Sequence, residues 1–235
     1  LLANLDGAGI LGPHIAPLMH RLRRLLEGSG PPQGEVARRI RVRTAGARRL
    51  ALPNFQAVGS ALLQRQRLAM DYFGRSQGNS GEREVPPQRL VHYRDNWYLD
   101  AWCHEREALR TFSVDSIRAV RVLSQRAIDI PEREIDDVLG AGYGIFSGGT
   151  TQWAILRFAP QRARWVGAER WHADQIGRWT SDGHWLLSLP YNDPRELVMD
   201  ILRHVPEVEV IAPDELRAEV LLRLRHGLKA MGVDE

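Results

Sequence analysis

Asn96-Trp97-Tyr98-Leu99-Asp100-Ala101-Trp102-Cys103 constrains the fold of this chain more than any other stretch. It reads as one aromatic-rich strand. Alternation sends Trp97, Leu99 and Ala101 to one face and Tyr98, Asp100 and Trp102 to the other. One face must pack into a core, and the other offers rings that can stack on a planar ligand. The alternative is a barrel wall buried on both sides.

Short strand patterns surround it. Residues 67–73, 82–92, 96–103, 109–113 and 117–123 each carry one, with brief breaks between them. A string of antiparallel hairpins of this kind predicts a small, strongly curved barrel over residues 66–125. Residues 126–150 read as a linker with a short helix opened by Pro131 and stopped by Gly140-Ala141-Gly142-Tyr143-Gly144. That glycine run is no phosphate loop, because no Lys-Ser or Lys-Thr follows it and it comes after a helix rather than a strand.

Ahead of the barrel, Ile15, Leu18, Leu22 and Leu25 form one apolar helical stripe, and Pro53 opens a second helix bearing Phe55, Val58 and Leu62. Residues 1–65 read as a helical connector, with Leu18, Leu22 and Leu25 as a dimerisation stripe. The net charge is +3, but the first fifty residues hold nine Arg against Asp6, Glu27 and Glu35. The basic excess therefore lies where a nucleic-acid-binding neighbour would be, or else on an ordinary Arg-rich solvent face.

Residues 151–235 run strand, helix, hairpin, helix, strand, with a tail helix. Ser181-Asp182-Gly183 marks the hairpin turn, and Asp193-Pro194-Arg195-Glu196 carries the signature of a helix start. The β-α-β-β-α-β order predicts a ferredoxin-like α+β domain. The whole chain is therefore expected to be α+β.

Enzymatic constellations are poor. No His-Glu-x-x-His or Gly-x-Ser-x-Gly occurs, and Cys103 and His104, as strand neighbours, point to opposite faces. No catalysis, metal or cofactor is expected, and no eighteen-residue apolar run could span a membrane. Binding is the better reading. Arg75, Arg83, Arg89 and Arg110 come from different strands of one small barrel, with Tyr72, Trp97, Tyr98 and Phe112 among them. Guanidinium forks bind phosphate and aromatic faces stack bases, so this set suits a single strand or a nucleotide-like ligand. Ser76, His92 and His104 would add polar contacts.

These spaced elements resemble the WYL domains. The resemblance rests on Arg67–Phe73, on Arg83-x-Val85-x-Pro87-x-x-Leu90, on Trp97-Tyr98-Leu99 and on Arg110-x-Phe112-x-x-Asp115-x-Ile117. Arg170-Trp171-His172 is similar to part of the C-terminal extension of many such proteins, which raises the coverage to residues 53–232. The resemblance implies an Sm-like or SH3-like barrel that senses a nucleic-acid-derived effector, beside an N-terminal helix-turn-helix that binds DNA. No helix-turn-helix is evident, and the start at Leu1 looks like the cut edge of a longer protein. The expected role is the effector-sensing, homodimerising portion of a bacterial, cytoplasmic transcriptional regulator. A stand-alone module that binds protein or single-stranded nucleic acid is the alternative; a helix-turn-helix encoded upstream would separate the two. Ser113 and Ser116 stand where the family often has Arg, which lowers the expected affinity for phosphate.

Overall fold

The computed structural model describes residues 52–75, 78–94, 96–140, 142–145 and 150–233. The stripe of Leu18, Leu22 and Leu25, and also Ser76, lie outside the described residues. The chain divides into two compact units, one ending at Ile130 and the other beginning at Pro131.

The described part of the first unit opens with helix α1 (Leu52–Gln64), which ends where Arg65 takes a φ of 56° and turns the backbone out of the helix. Six strands follow: β1 (Gln66–Gly74), β2 (Asn79–Val85), β3 (Pro87–Tyr93), β4 (Asn96–Cys103), β5 (Ala108–Ser113) and β6 (Ile117–Arg126). They form two antiparallel three-stranded sheets, β2-β1-β6 and β3-β4-β5. Two expectations are corrected here. The single strand at 82–92 is two strands in different sheets, because Pro86 has no N–H to continue a ladder and the chain changes sheet there. The described strands accordingly make two facing sheets rather than one closed barrel.

Their shared core explains why both sheets are needed. Leu68, Met70 and Val85 from one sheet meet Leu99, Ala101, Cys103 and Phe112 from the other. Phe55, Val58 and Ala61 of α1, spaced three residues apart along one side, fill the space between them. The sequence reads this helix as the end of a connector over residues 1–65; its apolar side is sealed in the β core. Trp97 is half-buried on the same side, with its ring 5.4 Å from Phe55 and 4.8 Å from His92. The inward face of β4 is therefore the Trp97-Leu99-Ala101 face, and the other face carries Tyr98, Asp100 and Trp102.

The second unit begins with a short helix, α2 (Glu132–Ile135), and a wider turn over Asp136–Gly140. Then come β7 (Gln152–Phe158), α3 (Pro160–Val166), β8 (Ile176–Trp179), β9 (Trp185–Tyr191), α4 (Pro194–Leu202), β10 (Val208–Ala212) and α5 (Asp214–Ala230). The sheet order β10-β7-β9-β8, antiparallel throughout, gives the β-α-β-β-α-β arrangement that the sequence rhythm predicts. Ala154, Leu156 and Phe158 alternate inward along β7 to meet Leu187 and Leu189, while Trp153 faces solvent.

Helix α4 starts as its sequence signature predicts, with the Asp193 carboxylate accepting from the Arg195 N–H at 2.9 Å. Glu196 has a further use: it is buried, and its carboxylate accepts the Ile145 N–H at 2.8 Å. Gly144 lies against that carboxylate with a φ of 82°, so the glycine run is a docking strap on α4.

His204 lies behind α4, buried between Phe158 (5.6 Å, edge-on) and Trp171 (5.4 Å). Its Nδ1 has no hydrogen-bond partner among the described residues. Burial pushes its pKa below the ordinary value of 6.5; Glu169 and Asp200 act upward, Arg162 and Arg203 downward. The folded chain thus binds fewer protons at this site than the unfolded chain. The stability it contributes is fully present above pH ~6.5 and declines as the pH falls below that value. Urea midpoints should fall between pH 7.5 and 5.5, and His204→Gln should flatten that slope; an equal slope in the variant would assign it to other groups.

Candidate functional site

The outward face of β3-β4-β5 carries the polar residues that the sequence placed beside the aromatic strand. Register sets Val91, Tyr98 and Ser113 side by side in one row, and Arg89, Asp100 and Thr111 in the next. Rows on one face are ~7 Å apart along a strand, because alternate residues share a face.

Asp100 is buried at 3% exposure, and burying a carboxylate is costly unless charged and hydrogen-bonding partners replace its water. It has both: Arg89 Nε donates to Oδ2 at 2.7 Å, and the Thr111 hydroxyl donates to Oδ1 at 2.6 Å. Asp115 repeats the arrangement one row away, in the single turn Val114–Ser116 that joins β5 to β6. Its carboxylate takes Arg75 Nη2 and the Ser113 hydroxyl, and Arg75 Nη1 lies 3.4 Å from both Ser113 Oγ and Asp115 Oδ1. The Asp115 hydrogen bond raises the Arg75 pKa above its ordinary value, with the Tyr72 and Tyr98 hydroxyls close enough to add to the effect. Arg75 keeps 46% of its side chain exposed while Asp115 is almost covered. Both carboxylates are thus sealed, while the Arg75 side chain is more exposed than that of Arg89, at 46% against 30%.

The remaining predicted site residues fall elsewhere. Tyr72 faces inward, edge-on to Phe112 at 5.1 Å, and its hydroxyl accepts the Ser113 N–H at 3.2 Å. Phe112 is buried in the core, and Tyr98 is buried too, so neither presents an open ring. Trp97 and His92 pack on each other beside α1, on the inward face of their sheet. Arg83 points inward from β2, pairs with Glu105 in the β4–β5 turn and donates to the Glu82 carbonyl at 2.8 Å. His104 is exposed in that turn, its backbone N–H 3.5 Å from the Glu84 carbonyl. Arg110 is exposed opposite Ala101, on the other face of the sheet from Arg89. Arg75 and Arg89 thus share a face, whereas Arg83 and Arg110 do not join them. Among the described residues, no group of three or more His, Cys, Asp or Glu is placed to hold a metal ion, and no helix is long and apolar enough to cross a membrane.

Comparison with known proteins adds the family. The WYL domain model matches residues 53–122, and the WCX domain model matches residues 150–228. The chain carries a WYL domain followed by a WCX domain. Protein PafC of Mycobacterium leprae (strain TN) is 37% identical over 71 residues, covering 30% of this chain and 22% of that protein. The DNA-binding transcriptional repressor CapW of Pseudomonas aeruginosa is 40% identical over 45 residues, covering 19% of this chain and 15% of the repressor. Protein PafC of Mycobacterium tuberculosis (strain ATCC 25618 / H37Rv) is 28% identical over 169 residues, covering 72% of this chain and 52% of that protein. The chain spans at most about half the length of the curated relatives it matches.

Within the WYL domain, the residues that sequence reasoning missed are the carboxylates. Asp100 is on the same β4 face as Tyr98, and Asp115 is in the Phe112-to-Ile117 element, so both were visible without being assigned a role. Trp102 was also passed over. It is half-buried on the outward face, one row beyond Asp100, and gives that face a ring.

Proposed function

We propose that this chain is the effector-sensing and dimerising part of a DNA-binding transcriptional regulator, with the effector bound on the outward face of the WYL domain. The observation that carries the reading is the pair of guanidinium groups, Arg75 held at Ser113 and Asp115 and Arg89 held at Asp100, with Trp102 one row beyond Asp100 on the same strand face. Each is fixed by a buried carboxylate, and a fixed fork gives up little freedom when it meets a phosphate. A half-buried indole on that face suits a base attached to that phosphate, so the ligand class is a nucleotide or a short single strand. Ser76 belongs to the same proposed site by sequence. Supporting the regulatory half of the reading, one relative is named as a DNA-binding transcriptional repressor. Dimerisation is assigned to Leu18, Leu22 and Leu25, DNA contact to a helix-turn-helix partner domain, and the compartment to the cytoplasm.

Anisotropy with a fluorescein-labelled oligothymidylate tests the site. Arg75→Gln and Arg89→Gln should each weaken binding by about tenfold or more, as the loss of a charge-assisted fork predicts. Arg83→Gln, whose guanidinium is turned towards Glu105, should bind as the unaltered chain does. Equal affinity in all four proteins would remove the proposed face, and a monomer by light scattering would remove the dimer.

A further inference from the structure

Arg75 and helix α1 meet in one short turn. Asp115, which holds Arg75, is the middle residue of the Val114–Ser116 turn. The turn continues directly into Ile117, whose carbonyl accepts from Asn54 Nδ2 at 2.8 Å; the Arg118 carbonyl is 3.2 Å from the same nitrogen. Asn54 is in the first turn of α1. The segment 114–118 therefore carries the candidate ligand's cation at Asp115 and the α1 amide at Ile117 and Arg118.

Two further features distinguish this turn. Ser116 Oγ is buried with no partner among the described residues, although buried hydroxyls are ordinarily bonded. A shift of the turn that gave it a partner would recover that loss. Among the described residues, Asp115 is the carboxylate bonded to the Arg75 fork, so an anion approaching that fork meets a negative charge already bonded to it.

We propose that Asp115 is an internal competitor for the effector's anion, and that an anion taking Arg75 from it releases the Val114–Ser116 turn and so moves its tie to helix α1. The proposal rests on the reading of Arg75 as part of the effector site and adds how binding there is relayed. The competing carboxylate sets a threshold: a ligand must interact with Arg75 more favourably than Asp115 does. A neutral nucleoside, lacking phosphate, has no such interaction and leaves the turn in place. Population shift then follows from differential contact, since the anion binds the displaced arrangement better than the Asp115-bound one.

The test uses the whole 235-residue chain with the same labelled oligothymidylate. Asp115→Asn keeps the shape of the side chain but removes its charge, and should bind about tenfold more tightly than the unaltered chain, while Arg75→Gln binds more weakly. If Asp115→Asn binds equally or more weakly while Arg75→Gln still loses affinity, the competitor is refuted and the site stands. If neither the unaltered chain nor Asp115→Asn binds, both the site and the competitor fall. Hydrogen exchange on the unaltered chain is the second readout and needs no variant. Saturating oligothymidylate should change exchange in residues 114–118 and 52–64, and thymidine should not. Binding without any change in those two segments overturns the relay.

Discussion

Alanine in place of Gly144 is expected to destabilise the second unit by about 2–5 kcal/mol. The backbone there has a φ of 82°, a region that costs an L-residue roughly 1–2 kcal/mol. A Cβ would also overlap the Glu196 carboxylate, the side chain that accepts the Ile145 N–H. Driving that buried carboxylate off its donor leaves both groups short of a partner, worth about 1–3 kcal/mol. Urea denaturation of the variant measures the sum, and hydrogen exchange should show lost protection in α4. Combining it with Glu196→Ala separates the two contributions. The pair should cost clearly less than the two single changes added together, because the second substitution removes the group that the new methyl strikes. Strict additivity would show that the strap and α4 are not coupled through this contact, and a single-variant cost under about 1 kcal/mol would place the carboxylate elsewhere.

The second large effect concerns α1. Phe55→Ala should cost about 3–5 kcal/mol, the usual range for removing a sealed phenyl ring from a core. Phe55 is fully buried between the two sheets of the WYL domain and packs on Trp97. For a domain of this size such a loss should lower the thermal midpoint by roughly 15 °C or more. If α1 were instead an exposed connector, the same change would cost almost nothing. A midpoint within about two degrees of the unaltered chain would contradict the packing described above.

Period-two alternation made most of the strands legible before any coordinates. β4 and β7 fall where the pattern placed them, and the face of β4 that enters the core is Trp97-Leu99-Ala101-Cys103. The start of α4 was also readable, since an Asp-Pro pair sets the cap and the first turn locally. The 82–92 segment was not read correctly, because alternation continues across Pro86 and hides the change of sheet. Helix α1 was misassigned for a similar reason: an apolar stripe shows that a surface will be covered, never by what.

The site divides along the same line. Arg75 and Arg89 were recognisable as cations on a small β domain, and Trp102 as an outward ring. Which cation keeps an open end depends on where the carboxylates are buried, and Asp100 and Asp115 meet their partners across 11 and 40 positions of sequence. Arg83 and Arg110 look the same as Arg75 and Arg89 in one dimension, yet one turns to Glu105 and the other stands on the opposite face.

The amino-acid order alone determined most of the elements, the faces of β4 and β7 and the two-part α+β plan, because each of these follows from residues within one or two turns or strand repeats of each other. The tertiary structure alone decided that α1 belongs to the β core, that Glu196 accepts from the Ile145 N–H beside Gly144, and that Arg75 is held by Asp115 in the turn just ahead of the β6 carbonyls that Asn54 bonds. Those pairings depend on electrostatics and packing between segments distant in sequence, and no local pattern encodes the partner.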